Sequence, residues 1–342
     1  MMENVITTGL GKFSKDKFNA LLNVRSTALN AIRKALIQNG YTEVSTSSLV
    51  NIAGSCENPY ASFSLNYYGR EAHLSQSAQL QLEALVIRLQ RGVFTVNNSF
   101  REENYDDPET KGRRLSEFTL IEPEKPYKNL TPEQILDAII STEEKIIKFA
   151  IKKVLETCKK DVALLGGQVD YLKSILSKNF ARLTYDEALE LLNKSNGNYK
   201  FGDDFGALEE RKILAHFDNI PTFISHYPAK IKFFNMKRTP DGERVYSVDL
   251  LMPRLGETTG GAVREEDGKK IKQYLLNSKI AKYITAQNGD PLLPFQEYLN
   301  LFKQEKPTMR GGFGIGFERL VGFLLNSNDI LETIAYRSMQ PK

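Results

Sequence analysis

The sequence has few of the residues that cross-link small proteins or bind transition metals. It contains two cysteines, Cys56 and Cys158, and three histidines in 342 residues. Two cysteines cannot build a disulfide framework or a zinc cluster, and this usage is typical of a reducing compartment, so we expect a cytoplasmic protein. We interpret Cys56 as a small buried residue. His73, His216 and His226 are scattered without ligand spacing, and we expect structural roles for them.

Long apolar segments and targeting signals are also missing. No apolar run approaches about 18 residues, so we expect no segment that spans a membrane. The first four residues, MMEN, do not begin the basic-then-apolar pattern of a signal peptide. The net charge of +4, from 46 basic and 42 acidic residues, permits contact with a polyanion but does not argue for one. No repeat or clear linker divides the chain, so we expect a single domain over 1–342.

The most informative segment is GGFGIGFERL at 311–320, near the C-terminus. Glycines at alternate positions suit a backbone that passes close to a flat or crowded neighbour, and Arg319 offers a fork of donors suited to a phosphate. Two common nucleotide motifs do not fit. The dinucleotide fingerprint needs glycine where Phe317 stands, and the chain has no Gly-Lys-Ser or Gly-Lys-Thr for a phosphate loop. A nucleotide at this segment therefore requires another geometry.

The order of predicted elements indicates the fold class. Apolar periodicity and capping residues predict helices at 14–39, at 131–160 and from 184 onward. Short β-prone runs predict strands at 93–99, 118–122, 221–224, 231–236 and 245–252, and the glycine–arginine segment predicts another strand with a helix after it. Because the strands occur in blocks and do not alternate with helices, the pattern favours an antiparallel sheet in an α+β domain.

A long charged loop at 102–114 joins the first two predicted strands. Such a connection predicts a hairpin with a functional tip. Arg101 begins the loop, and Arg114 lies four residues before Phe118, so the returning arm can present a cation and an aromatic ring on one side. This pairing suits a flat base with a phosphate tail. Taken alone, Arg101 and Arg319 each suit a structural salt bridge equally well, since each lies beside an acid.

Two motifs in this order carry a resemblance to a known family. The pattern F-R-x-E, loop, R-x-x-x-F from Phe100 to Phe118 resembles motif 2 of class II aminoacyl-tRNA synthetases, and GGFGIGFERL resembles their motif 3. SQSAQLQLE at 75–83 is similar to a segment of asparaginyl-tRNA synthetases. The similarity covers roughly 18–337 and continues through 227–228, 232–234, 249–251, 256–257, 260–261 and 264–265. The resemblance implies an antiparallel sheet flanked by helices, a homodimer and an adenylate-forming ligase.

The resemblance also implies a set of ATP contacts. Arg101 would bridge the substrate carboxylate and the α-phosphate, and Arg319 would cover the adenine or hold the γ-phosphate of a bent ATP; these two are the predicted catalytic residues. Phe118 would stack on the other adenine face, Glu103 would contact the adenine amino group, and Arg114 would hold the terminal phosphates. The full implied ATP set is Arg101, Glu103, Arg114, Phe118, Glu257, Gly316 and Arg319.

The same resemblance implies a metal site and an amino-acid site. Asp249 and Glu257 would hold Mg²⁺ through carboxylate oxygens, the ligands that a hard cation prefers. Glu83 would accept hydrogen bonds from an amide NH₂ and repel a second carboxylate, while Arg264 would donate to the amide oxygen, which favours asparagine over aspartate. Glu57 and Gln79 would take the α-ammonium group. The implied amino-acid set is Glu57, Ser77, Gln79, Glu83, Arg264 and Gly312.

Departures from the family pattern shape the expected function. Residues 1–15 form a short N-terminal extension that leaves no room for the anticodon-binding OB barrel of these synthetases. Glu57 is followed by Asn58-Pro59 where glycines are typical, which indicates a reshaped substrate pocket. We therefore expect a stand-alone paralogue that activates asparagine, or a close analogue, as its adenylate. The acyl group would then pass to an amine, thiol or carrier and not to tRNA.

Three alternatives stay open at this point. The first is an ammonia-dependent asparagine synthetase that starts from aspartate, against which Glu83 argues. The second is an asparagine–tRNA ligase that recognises tRNA by other means. The third is a non-catalytic paralogue that senses an amino acid or binds a partner. A mere binder does not need two arginines on a triphosphate, so Arg101 and Arg319 argue against the third.

Overall fold

The computed structural model describes residues 6–9, 13–52, 57–104, 106, 110–195 and 197–341, with the backbone alone for 6–9 and 337–341. The predicted burial of Cys56 lies outside these residues. Cys158 is buried with a free thiol. None of the helices in these ranges combines the length and apolar character that crossing a membrane requires.

Thirteen strands and eleven α-helices form within the described residues. The strands are β1 Ile6–Gly9, β2 Thr42–Glu43, β3 Leu49–Val50, β4 Ser64–Tyr67, β5 Arg70–Leu74, β6 Val93–Phe100, β7 Glu117–Pro126, β8 Ala181–Thr184, β9 Thr222–Ser225, β10 Ser247–Met252, β11 Gly256–Arg264, β12 Arg310–Gly316 and β13 Arg337–Pro341. The helices are α1 Lys15–Gln38, α2 Gln79–Leu89, α3 Pro132–Thr157, α4 Lys159–Leu164, α5 Val169–Ser177, α6 Tyr185–Lys194, α7 Ala207–His216, α8 Gly268–Leu276, α9 Lys279–Ala286, α10 Gln296–Gln304 and α11 Phe317–Leu325.

An eight-stranded sheet organises the molecule, with strand order β2-β6-β7-β12-β11-β10-β9-β8. The five inner pairings are antiparallel, and the two edge pairings, β2 with β6 and β8 with β9, are parallel. Two smaller sheets pair β1 with β13 and order β3-β5-β4. The predicted α+β class, an antiparallel sheet flanked by helices, is confirmed.

The main hydrophobic core lies between this sheet and helices α1 and α3. Its helical side is fully buried, for example at Ile32 of α1 and Ile147 of α3, and its sheet side includes Ile121 and Ile315. Successive strand residues point to opposite faces, so the neighbours of these core residues must face away from α3. The opposite face of β7 and β12 is therefore free to line a cavity.

Local signals predicted most helix boundaries. Ser14 caps α1, and Thr131 forms a capping box with Gln134 at the start of α3. Thr184 forms a second capping box with Glu187 at the start of α6. Helices begin where such side chains satisfy the first free backbone N–H groups, so these three predictions are confirmed.

The predicted strands at 93–99 and 118–122 form the β6–β7 hairpin, and those at 221–224 and 245–252 correspond to β9 and β10. The strand predicted at 231–236 is wrong. A 3₁₀ turn covers Ala229–Ile231, and the chain then runs irregularly to an isolated bridge at Met236. Lys232 and Asn235 in this segment bind buried carboxylates elsewhere in the protein, and these contacts hold the chain out of a regular strand.

Candidate active site

A cavity of about 470 Å³ opens on the face of the sheet that points away from α3. Leu120, Glu122 and Glu124 of β7 line it, whereas Ile121 between them belongs to the core. Gly314 and Gly316 of β12 line the same cavity. Strand alternation thus brings the two sequence motifs onto one surface.

The glycines of β12 differ in what they allow. A Cβ atom at Gly312 would lie 2.1 Å from Oε2 of Glu124 and 2.2 Å from the carbonyl oxygen of Pro123. A Cβ atom at Gly314 would make an ordinary contact of 3.7 Å with Cγ of Glu122. The close approach of Glu124 therefore requires glycine at position 312. The alternating glycines of this segment had predicted such a crowded neighbour beside the backbone.

Arg101 and Phe118 lie together at the mouth of the hairpin. The backbone N–H of Arg101 donates to Ser116 at 2.9 Å, and its guanidinium carbon lies 5.0 Å from the centre of the Phe118 ring. Its Nη2 is 3.0 Å from Oε1 of Glu57, and its buried Nε has no hydrogen-bond partner among the described residues. Burial raises the pKa of Glu57, although Arg101 opposes this shift. A buried donor without a protein partner is available to a ligand or a water molecule.

Three further arginines reach the same region. Arg319, at the start of α11, is half-buried and donates to the backbone oxygen of Glu257. Arg114 pairs with Glu103 at 3.1 Å, and about half of its side chain is exposed at 52%. Arg113, which sequence reasoning missed, lines the cavity and pairs with a carboxylate of α7 at 2.5 Å. Together with Arg101 they give one end of the cavity four guanidinium groups suited to phosphates, set among the carboxylates of Glu57, Glu103 and Glu257.

Asp249 and Glu257 face each other across Gly260. A Cβ atom at Gly260 would lie 3.3 Å from Oδ1 of Asp249 and 3.4 Å from Oε1 of Glu257, so both carboxylates reach one point above the glycine. Nζ of Lys232 lies 2.5 Å from Oδ2 of Asp249 and 3.9 Å from the centre of the Tyr227 ring. Burial raises the pKa of Asp249 to about 7, and Lys232 opposes the shift. Sequence reasoning missed Lys232.

The residues around Gly260 fit a divalent cation. Two carboxylate oxygens at one point are hard ligands, and Mg²⁺ commonly takes one or two carboxylates together with substrate phosphates. Among the described residues, no group of three or more His, Cys, Asp or Glu is placed to hold a metal ion on protein ligands alone. A cation here would therefore complete its coordination with phosphate and water oxygens.

The other end of the cavity begins at the N-terminus of α2. Ser77 Oγ and the backbone N–H of Ala78 donate to the two oxygens of Glu122 at 2.5 and 2.9 Å. Burial raises the pKa of Glu122, and these hydrogen bonds oppose the rise. Gln79 and Glu57 line the same part of the cavity. The arrangement places three acceptor side chains, those of Glu57, Gln79 and Glu122, around the position expected for an ammonium group.

Glu83 lies behind the cavity wall and is fully buried. Its Oε1 accepts hydrogen bonds from Asn235 at 2.6 Å and Gln79 at 3.2 Å. Its Oε2 accepts from Tyr298 at 2.8 Å and from Nε of Arg310 at 3.0 Å, with a second bond from Nη2 of that arginine. Desolvation would raise the pKa of Glu83, but Arg310 and the other donors outweigh it and hold the pKa below its usual value. A solvent-exposed position for Glu83 is thereby excluded.

Arg264 and Glu124 form a second buried pair, and both line the cavity. Nη2 of Arg264 is 3.2 Å from Oε2 of Glu124, and Nε is 3.3 Å from both carboxylate oxygens. Arg264 Nη2 also reaches the carbonyl oxygen of Gly312 at 3.4 Å. Burial raises the pKa of Glu124 to about 7 against the influence of Arg264. Sequence reasoning missed Glu124, although an acid at an inward-facing position of a buried strand is a usable signal.

The fold and the cavity define an adenylate-forming ligase of the class II synthetase type. The chain belongs to the tRNA synthetases class II (D, K and N), because it matches that family from residue 5 to residue 340. It is 34% identical over 328 residues to the asparagine–tRNA ligase of Pyrococcus furiosus, an alignment that covers 95% of this chain and 69% of that protein. It is likewise 34% identical over 324 residues to the asparagine–tRNA ligase of Desulforamulus reducens, covering 94% and 69%.

Solved structures agree with this assignment. Asparaginyl-tRNA synthetase from Pyrococcus horikoshii, complexed with asparaginyl-adenylate, superposes with a TM-score of 0.81 at 32% identity and covers 94% of this chain and 69% of that one. The Entamoeba histolytica enzyme, also with asparaginyl-adenylate, gives 0.75 at 25% identity and covers 95% and 68%. The predicted family and the predicted enzyme class, an adenylate-forming ligase, are confirmed. The roles of individual site residues stay predictions.

Proposed function

We propose that the protein uses ATP to activate asparagine, or a close analogue, as an aminoacyl-adenylate. One observation carries the proposal: a single cavity joins an arginine-rich end, with Arg101, Arg113 and Arg319, to an end formed by the Glu124–Arg264 pair. The arginine-rich end offers donors for a triphosphate, and the paired end suits an uncharged polar side chain. The relatives named above are asparagine–tRNA ligases, which supports the same substrate.

The proposed reaction is a displacement at phosphorus. A carboxylate oxygen of the amino acid attacks the α-phosphorus of ATP, the bond to the β-phosphate oxygen breaks, and pyrophosphate leaves. Arg101 holds the attacking carboxylate beside the α-phosphate, and its partnerless Nε is a donor available for this contact. Arg319, with Arg113 and Arg114, neutralises charge on the leaving pyrophosphate.

The remaining proposed ATP contacts follow from where the side chains lie in the cavity. The ring of Phe118, which lies beside the guanidinium of Arg101, offers a face to the adenine. Glu103 lies within hydrogen-bond distance of Arg114 near the same mouth of the cavity. Asp249 and Glu257 would hold Mg²⁺ at the point above Gly260, where the ion supplies charge neutralisation for the phosphates when bound. Gly316 of β12 lets a ligand approach the strand end.

The α-ammonium group of the amino acid fits beside Glu57, Gln79 and Glu122. The side chain then points towards Glu124 and Arg264. When both carboxylates are ionised, the pairs Glu83–Arg310 and Glu124–Arg264 sum to zero charge. A neutral amide suits this environment better than a second carboxylate, which disfavours aspartate and thus the ammonia-dependent asparagine synthetase.

The acceptor of the acyl group is a separate question. Transfer to an amine, thiol or carrier other than tRNA stays a prediction from the sequence, and the relatives named above are tRNA ligases. Charging of bulk tRNA with labelled asparagine separates transfer to tRNA from transfer to another acceptor, because acid-precipitable label identifies a tRNA ligase.

A cytoplasmic homodimer built on a single catalytic domain also stays a prediction.

The test of activation is exchange of labelled pyrophosphate into ATP, screened across all amino acids. Exchange that depends on asparagine supports the proposal. Exchange with aspartate but not with asparagine would overturn the substrate. Absence of exchange with every amino acid, in a protein that still binds ATP by calorimetry, would identify the non-catalytic paralogue.

A further inference from the structure

We infer that Arg25 of α1 is a positioning residue for ATP and acts through Glu318. Arg25 is not one of the residues that line the cavity, whereas Glu318 is. The guanidinium group of Arg25 connects the start of α11, strand β7 and the loop of the β6–β7 hairpin, which together form the arginine-rich end of the cavity. This role rests on the proposed function, since it concerns how the same cavity holds ATP.

Glu318 extends the pairing of β7 beyond the end of β12. The backbone ladder between these strands reaches Gly316 and Leu120, where β12 ends and α11 begins. At the next position of β7, the N–H of Thr119 donates to Oε2 of Glu318 at 2.9 Å. A backbone donor that the strand ladder no longer serves is thus satisfied by a side chain. Glu318 therefore ties the first turn of α11 to the backbone next to Phe118.

Arg25 holds the other carboxylate oxygen of Glu318. Its Nη2 lies 3.0 Å from Oε1, and its guanidinium carbon lies 4.9 Å from the centre of the Phe317 ring. The side chains of Arg25 and Glu318 are 18% and 6% exposed, so salt and water screen this ion pair only weakly. Both oxygens of Glu318 are therefore bound within the protein, and the acid that precedes Arg319 serves to hold the helix start in place.

The same arginine also reaches the segment that follows α11. Its Nη1 donates to the backbone oxygen of Thr333, at the end of a 3₁₀ turn that covers Ile330–Thr333. The N–H of Ile330 in turn donates to the carbonyl oxygen of Gly112 at 2.8 Å. Gly112 lies in the hairpin loop and directly precedes Arg113. One short turn thus connects the guanidinium group to the hairpin loop.

The three connected segments carry the proposed ATP contacts. Arg319 follows Glu318 in the chain, and Phe118 precedes the N–H that Glu318 accepts. Without Arg25, each segment loses a contact that fixes it relative to the other two. A displacement of about 1 Å in such groups can cost about a hundredfold. The paired end of the cavity, proposed for the amino-acid side chain, is built from other strand positions, so ATP binding should be weakened selectively.

The experiment compares Arg25→Met with a matched control, Arg33→Met. Arg33 lies on the same helix and forms an ion pair with Glu43 at the same distance of 3.0 Å, but it does not line or support the cavity. For each variant we measure KM for ATP and for asparagine in pyrophosphate exchange, with thermal melting to determine the folded fraction. We expect Arg25→Met to raise KM for ATP by about tenfold to a hundredfold and to keep KM for asparagine within about threefold. Arg33→Met should keep both values.

A purely structural role of Arg25 gives another pattern. It would lower the folded fraction without changing the affinity of the molecules that stay folded. KM for ATP within about threefold of wild type, with exchange reduced only in proportion to the folded fraction, would overturn the inference. An equal rise of both KM values would also overturn it, because the whole cavity would then be distorted.

A conservative variant tests the fork of donors. Arg25→Lys keeps a positive charge beside Glu318 but cannot also present a second fixed donor to Thr333. We expect it to raise KM for ATP by less than Arg25→Met does. A rise as large as that in Arg25→Met would show that the ion pair with Glu318 does not set the affinity for ATP.

A double variant keeps the inference testable if Arg25→Met does not fold. Arg25→Met/Glu318→Gln removes the ion pair as a unit, so no buried charge is left unpaired, and the new amide oxygen can still accept from the N–H of Thr119. We expect the same selective rise in KM for ATP. A value within about threefold of wild type would refute the role of Arg25.

Failure of this role and failure of the proposed function give different results. If the wild-type protein exchanges pyrophosphate with asparagine and Arg25→Met keeps the wild-type KM for ATP, only the role of Arg25 fails. If the wild-type protein binds ATP without asparagine-dependent exchange, the proposed function fails. Calorimetric Kd values for ATP then decide on Arg25, since a rise of about tenfold or more in Arg25→Met supports its role and equal values refute it.

Discussion

Nζ of Lys232 lies 2.5 Å from Oδ2 of Asp249, inside the cavity where a divalent cation would meet Asp249 and Glu257. The lysine therefore supplies a positive charge to a pair of carboxylates that would otherwise repel each other. We predict that Lys232→Met lowers the free energy of unfolding by about 3 kcal/mol in metal-free buffer, because a buried ion pair loses one partner.

Magnesium should compensate for the missing ammonium group. In Lys232→Met, millimolar Mg²⁺ should raise Tm, while the wild-type protein should respond less because Lys232 already neutralises Asp249. Lys272→Met is the matched control, since Lys272 is exposed on α8 and the variant should melt like wild type. Equal Tm values for Lys232→Met and wild type, with and without Mg²⁺, would contradict the prediction.

Arg319 tests the arginine-rich end of the cavity. We predict that Arg319→Ala reduces pyrophosphate exchange by about a hundredfold or more while the protein stays folded, because a fixed positive charge on the leaving phosphates is lost. Arg88→Ala is a suitable control, since that side chain is 65% exposed and pairs with Glu305 on the surface. Exchange within about threefold of wild type in Arg319→Ala would remove this residue from the reaction.

The sequence predicts those elements that depend on near neighbours. The capping box of Thr131 and Gln134 places the start of α3 within one residue, and two β-prone runs joined by the charged loop at 102–114 predict the β6–β7 hairpin. Both are local, since a cap spans one turn and a hairpin pairs two adjoining strands. Such features follow from the chain order alone.

Contacts between distant segments were not predicted. Arg310 and Glu83 are 227 positions apart, and an arginine that opens a glycine-rich strand gives no sign that it will be buried against α2. The same cause misled the interpretation of 231–236, where alternating apolar residues suggest a strand. Lys232 and Asn235 instead bind Asp249 and Glu83, so tertiary contacts override the local pattern.

Gly312 tests the close approach of the two motif strands. We predict that Gly312→Ala lowers Tm and raises KM for asparagine, because the new Cβ would lie 2.1 Å from Oε2 of Glu124 and must displace it from Arg264. Gly314→Ala, on the same strand face, should keep the wild-type Tm, since its Cβ would make a 3.7 Å contact. If the two alanine variants melt alike, the spacing between β7 and β12 is looser than the structure indicates.

Glu143 of α3 gives a prediction about pH. It is fully buried, Oε2 accepts from Thr259, Oε1 has no partner among the described residues, and burial raises its pKa from 4.5 to about 8. Between these values the unfolded chain loses the proton that the folded protein keeps, so stability should fall by about 1.4 kcal/mol per pH unit as pH rises. Glu143→Gln does not ionise and removes this dependence. The difference in Tm, that of Glu143→Gln minus that of wild type, should therefore increase from pH 5 to pH 8. A difference in Tm that is constant across this range would show that Glu143 has an ordinary pKa.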